Sequence, residues 1–88
     1  MDNQLTVRAL TRDRVVFEGK AKALTSYNEK GVFDVLFGHE NFISIVYKSL
    51  FIHLDSTHTQ EIKIDHGILK VHDNNVEIYL IRPVKEKI

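Results

Sequence analysis

The chain has 88 residues, 43% of them hydrophobic and 27% charged, with 12 Lys and Arg balanced by 12 Asp and Glu and no cysteine. That length supports one buried core and not two, and zero net charge supplies no basic field for nucleic acid or anionic lipid. Without cysteine the domain must hold together by packing alone, with no disulfide or thiolate-metal staple.

Period-two alternation dominates the chain. The opening Met1-Asp2-Asn3-Gln4-Leu5 is polar and lacks the basic start of a secretory signal, which argues for a chain that stays in the cytosol. Leu5, Val7 and Ala9 then alternate with Thr6 and Arg8, the pattern of a half-buried strand. Strand-like runs follow at residues 15–17, 21–27 and 32–37, with turn chemistry at 11–14 and 28–31. Residues 40–50 fit two patterns, because Phe42, Ile43, Val46, Tyr47 and Leu50 would also line one face of a helix. The β-branched Ile43, Ile45 and Val46 favour a strand. The apolar stretch 42–54 is about half a bilayer span as a helix, and Ser44, Lys48, Ser49 and His53 interrupt it, which argues against a membrane span. Further strands are expected at residues 50–54, 62–64, 68–71 and 76–80, with turns at 38–41, 55–60 and 73–75. Pro83 stands where the last strand should stop. The reading is an all-β, two-sheet sandwich of about ten short, mostly antiparallel strands, with the domain at residues 4–83 and a tail at 84–88.

Chemistry-bearing residues do not assemble into a catalytic pattern. The five histidines, His39, His53, His58, His66 and His72, show neither strand-pair nor helical ligand spacing, so no metal site is expected. Asp55-Ser56-Thr57-His58 has the letters of a nucleophile site but lies on a short polar turn, with no strand-to-helix elbow to aim the serine. Gly31, Gly38 and Gly67 precede no phosphate-binding Lys-Ser/Thr pair, so no cofactor or small-molecule substrate is expected. What does stand out is apolar residues on both strand parities: Val32 with Phe33, Val35 with Leu36 and Phe37, Leu50 with Phe51, Leu80 with Ile81. One sheet face cannot bury both sets, so a protein partner is a natural cover for the second.

Four segments, in this order and spacing, carry a family resemblance: Leu5-Thr6-Val7; Val16-Phe17-Glu18-Gly19-Lys20-Ala21; Gly31-Val32-Phe33-Asp34-Val35-Leu36-Phe37-Gly38-His39; and Gly67-Ile68-Leu69-Lys70-Val71-His72-Asp73-Asn74-Asn75-Val76. Together they resemble the N-terminal β-sandwich domain of the F-type ATP synthase epsilon subunit, over residues 5–80. The family's C-terminal helical hairpin has no counterpart in these 88 residues, which fits a short form of the subunit, a chain cut at the domain boundary or a domain recruited elsewhere. The resemblance implies a non-catalytic rotor subunit of the central stalk, coupling the gamma subunit to the c ring. The protein would then be cytoplasmic and peripheral on the inner face of the cell membrane through that complex. By the same resemblance residues 31–42 face the ring, and Val32, Phe33, Phe37, His39 and Phe42 are the expected partner-binding residues. A stand-alone sandwich adaptor or ligand-binding module of the same fold is the alternative reading of the same strands.

Overall fold

In the computed structural model, which describes residues 3–81, the chain forms seven strands: β1 (Leu5–Leu10), β2 (Val15–Ala21), β3 (Ala23–Asn28), β4 (Gly31–Leu36), β5 (Phe42–His53), β6 (Thr59–His72) and β7 (Asn75–Leu80). They pair in the order β2-β1-β7-β6-β5-β3-β4, all antiparallel except β1 with β7. The all-β class expected from period two is found, and residues 40–50 hold a strand rather than a helix. The strand count is seven instead of about ten, because two expected breaks do not occur. Residues 42–53 run on as one strand, and 59–72 as another that passes through Gly67 without turning. The turn expected at 55–60 is shorter, since β6 already begins at Thr59. Conversely the expected strand 21–27 is cut at Lys22, where β2 hands over to β3. Pro83 and the tail at 84–88 lie outside the described residues.

A sheet with no other element to cover it can bury a face only by closing on itself. Leu5, Val7 and Ala9 of β1 and Leu24 of β3 with Val35 of β4 come from opposite ends of the strand order, yet all are fully buried in one cluster. The sheet therefore folds into two layers. Residues 42–47 of β5 and 66–72 of β6 pair with each other and, through β7, join β1 and β2. Residues 49–53 and 59–63 pair with each other and join β3 and β4. The long β5–β6 hairpin belongs to both layers.

Its bend is visible in the register. Between the pairs Tyr47↔His66 and Ser49↔Lys63, β6 has one residue more than β5, and its buried positions switch from Ile64 to Gly67, Leu69 and Val71. Such a bulge bends and twists a strand. On β5 the bend passes through Lys48, whose φ of 69° lies in the left-handed region. Lys48 Nζ lies 5.1 Å from the Tyr27 ring centroid, a cation–π contact. The slip leaves ladder groups to be satisfied otherwise, and the buried Ser26 hydroxyl donates to the Ser49 carbonyl at 2.8 Å. Ser49 Oγ in turn donates to Glu61 Oε2 at 2.8 Å.

Gly67 permits the layers to close. A Cβ there would stand 2.8 Å from the Tyr79 carbonyl oxygen and 3.2 Å from Leu80 Cδ2. Gly67→Ala is therefore expected to destabilise the domain by about 1–3 kcal/mol through overpacking. Leu69→Ala, which empties a fully buried site, should cost about 2–5 kcal/mol, a fall in Tm of at least about 8 °C for a domain of this size. Its neighbour Ile68 points outward, and Ile68→Ala should move Tm by no more than a few degrees. Thermal melts of the three variants check the parity of β6 directly.

Candidate protein-docking surface

The outer face of the layer built on β1, β2 and β7 can be read row by row from the register. One row runs Val15–Leu10–Tyr79–Ile68–Ile45 across five strands, and every member is apolar or aromatic. At the usual strand spacing the row is about 19 Å wide. Ile45 is 53% exposed and the flanking Ile43 67%, while Val15, Tyr47, Ile68, Tyr79 and Ile81 are also exposed. The adjoining row, Glu18–Arg8–Glu77–Lys70, is charged. Arg8 Nη1 lies 3.2 Å from Glu77 Oε2, and Arg8 Nε 3.9 Å from Glu18 Oε2. Exposed ion pairs of this kind add little to stability, so the row acts chiefly as a polar border. Tyr79 Oη donates to Glu77 Oε1 at 2.6 Å, which orients the ring within the apolar row and pushes the phenol pKa up. Sequence reasoning missed this face. Ile43, Ile45, Ile68 and Tyr79 each alternate correctly within their own strands, and only the register brings them side by side.

The residues singled out from sequence divide into two groups. Phe33, His39 and Phe42 come together: the Phe33 and Phe42 rings meet edge to face with centroids 5.9 Å apart, and the His39 ring lies 4.8 Å from Phe42. Phe33 and Phe42 are half-buried and pack on the core, so much of their surface is already covered. Val32, 64% exposed, stands on the opposite face of β4 from Phe33. Phe37, 45% exposed, lies just past the end of β4 beside the exposed Leu36. Both line, with Lys22, Ala23 and His53, an open cleft of about 510 Å³. Val32 and Phe37 are therefore separated by nearly the whole length of β4.

The groups with catalytic letters are tied into structure. Across the other layer, Thr25 Oγ1 donates to Asp34 Oδ1 at 2.5 Å and lies 2.8 Å from His53 Nε2, while His53 Nδ1 lies 2.9 Å from Thr59 Oγ1. Because the Thr25 proton is directed at Asp34, Nε2 of His53 must be the donor to Thr25, and both ring nitrogens are engaged. Thr25, Asp34, His53 and Thr59 are thus tied to one another across neighbouring strands. Asp55 Oδ1 accepts from the backbone N–H groups of Thr57 and His58 at 2.8 and 2.9 Å, which closes the β5–β6 turn. The Thr57 backbone bond, followed by the His58 side chain at 2.9 Å, holds the Asp55 carboxyl well below the usual carboxylate range. Among the described residues no three His, Asp or Glu side chains are placed to hold a metal ion, and no helix is long and apolar enough to cross a membrane.

This turn gives a pH prediction. Because the folded-state pKa of Asp55 is depressed, its contribution to stability is present above the ordinary aspartate value and is lost as pH falls through the lower folded value. In a carboxyl NMR titration Asp55 should still be ionised near about pH 3, where an ordinary aspartate, with a pKa of about 3.9, is mostly protonated. A midpoint in the ordinary range would mean that the turn does not hold in solution.

Compared with known proteins, residues 4–82 match the family model described as ATP synthase, Delta/Epsilon chain, beta-sandwich domain. No curated protein matches the chain. Among solved structures, the fold is similar to a chain of the Euglena gracilis mitochondrial ATP synthase OSCP/F1/c-ring structure, with a TM-score of 0.85 and 21% identity over 96% of this chain and 54% of that one. It is also similar to a chain of the Tetrahymena thermophila mitochondrial ATP synthase central stalk and c ring, with a TM-score of 0.75 and 13% identity over 92% of this chain and 66% of that one. The chain thus spans about half to two thirds of the length of these structural relatives.

Proposed function

Because the chain belongs to the ATP synthase delta/epsilon family through its β-sandwich domain, we propose that it is a non-catalytic subunit of the rotor stalk, coupling the gamma subunit to the c ring through protein contacts. The observation that carries this reading is the apolar row Val15–Leu10–Tyr79–Ile68–Ile45 on the outer face of one layer, bordered by Glu18, Arg8, Glu77 and Lys70. An apolar centre with a charged rim is the anatomy of a protein interface, and its residues stand on paired strands rather than on loops. A face of that kind transmits torque with little give. In this reading the row grips gamma, and the end of the sandwich carrying Phe37 and His39, with Phe33 and Phe42 beside them, meets the ring, while Val32, at the other end of β4, stands outside that contact. Phe37 supplies exposed contact area there, while Phe33, His39 and Phe42 stiffen the platform beneath. In this reading Thr25, His53 and Asp55 fasten strands and a turn to one another. The subunit sits at the membrane only through the complex.

Two variants separate the two contacts. Ile45→Lys and Phe37→Ala both change exposed side chains, so each should leave Tm within a few degrees of the parent chain. If each anchors an interface, truncating or charging it costs about 2 kcal/mol of binding, roughly a thirtyfold loss of affinity. Ile45→Lys is expected to lose gamma, and Phe37→Ala to lose the ring, in pull-down with the purified subunits. Normal recovery of both partners by both variants would sink the proposal, as would a loss of Tm with recovery unchanged. Calorimetric titration of ATP into the isolated domain is expected to show no binding heat.

A further inference from the structure

We infer that Asn74 and Asn41 are positioning residues which clasp the 37–42 loop to the β6–β7 turn and so hold the ring-facing end in its docking geometry; the inference rests on the rotor reading above. The loop carries the chain from β4, at the edge of one layer, to β5 in the other. It includes Gly38 at a φ of 86°, and a crossover of this kind has little ladder pairing of its own. Two side chains supply what the ladder does not. Asn74 Oδ1 accepts from the Gly38 backbone N–H at 2.7 Å, and Asn41 Oδ1 accepts from the Asp73 backbone N–H at 2.8 Å. Each segment hands one carboxamide oxygen to the other's main chain.

The β6–β7 turn is a firm anchor for this exchange. Asp73 and Asn74 both adopt left-handed backbone, with φ of 48° and 66°, and close a two-residue turn directly behind the His72↔Asn75 pair. The Asn74 carbonyl also accepts from Thr6 N–H at 3.0 Å, which ties the turn to β1. Within the loop, His39 N–H donates to the Leu36 carbonyl at 3.0 Å. Phe37 is thus flanked on its C-terminal side by a clasped amide. Both clasp bonds are exposed, so their net worth to global stability is small. Their effect lies in orientation: a loop ordered before docking loses less freedom on binding.

The test separates the clasp from its use. Asn74→Gly keeps the left-handed backbone and removes the carboxamide, Asn74→Asp keeps an acceptor oxygen, and Asn41→Ala removes the other half. Amide exchange at Gly38 and Asp73 is measured by NMR on the isolated chain, and affinity is measured against the purified subcomplex of gamma and c ring. Asn74→Gly is expected to speed Gly38 exchange about tenfold and to weaken docking by about three- to tenfold, as loss of one exposed hydrogen bond would, with Tm nearly unchanged. Asn74→Asp should restore both readouts, and Asn41→Ala should act likewise on Asp73. Unchanged exchange in both removal variants would overturn the clasp. Faster exchange with unchanged affinity would overturn the positioning role and leave the rotor reading standing. Failure of the unaltered chain to bind the subcomplex would overturn the rotor reading, and the positioning role with it.

Discussion

The bend in the β5–β6 hairpin is the constraint on which the rest of the molecule depends. Seven strands linked in a single order offer two faces to water unless the sheet doubles over, and burying apolar surface is the dominant favourable term in folding. The bulge beside Lys48 and the change of buried parity between Ile64 and Gly67 let one pair of strands serve both layers. Leu50 and Ile52 then lie beside Leu24 and Val35 in one layer, in the same cluster that takes Leu69, Val71 and Ile78. The cost of the bend is met locally, by the Ser26 hydroxyl on the Ser49 carbonyl and by the Lys48 ammonium over Tyr27.

Once the layers are closed, the outer faces follow without further choice. In a strand every residue next to a buried one points the other way, so the burial of Val46, Leu69, Ile78 and Ala9 turns Ile45, Ile68, Tyr79 and Leu10 outward. Register then lines them into one row. The charged row beside it arises in the same way from Glu18, Arg8, Glu77 and Lys70. Packing and surface recognition are therefore two consequences of one alternation, which links the stability of the core to the shape of the docking face.

Polar groups in this domain work as fasteners. Thr25, His53 and Thr59 bind strands side by side, Asp55 closes a turn, and Asn41 with Asn74 joins two loops at one end. No buried side-chain donor or acceptor among the described residues is left without a partner.

Much of this was legible in the amino-acid sequence. Alternation placed Leu5, Val7, Ala9, Val76, Ile78 and Leu80 on their strands, because period two is a local property that survives any tertiary arrangement. The Asp73-Asn74 turn and the turn ending at Gly31 were readable for a similar reason, since few residues tolerate the backbone they require. The order of four short segments was enough to suggest the family. The continuity of β5 and β6 was not legible, because a bulge and a turn both interrupt alternation, and the close packing that Gly67 serves is against the distant Tyr79 and Leu80. The apolar row was hidden as well. Its five members are scattered from Leu10 to Tyr79, and register between strands depends on which distant segments meet. Local sequence determined the strands, the turns and the inward set, whereas only the closing of the sheet decided which outward residues became neighbours.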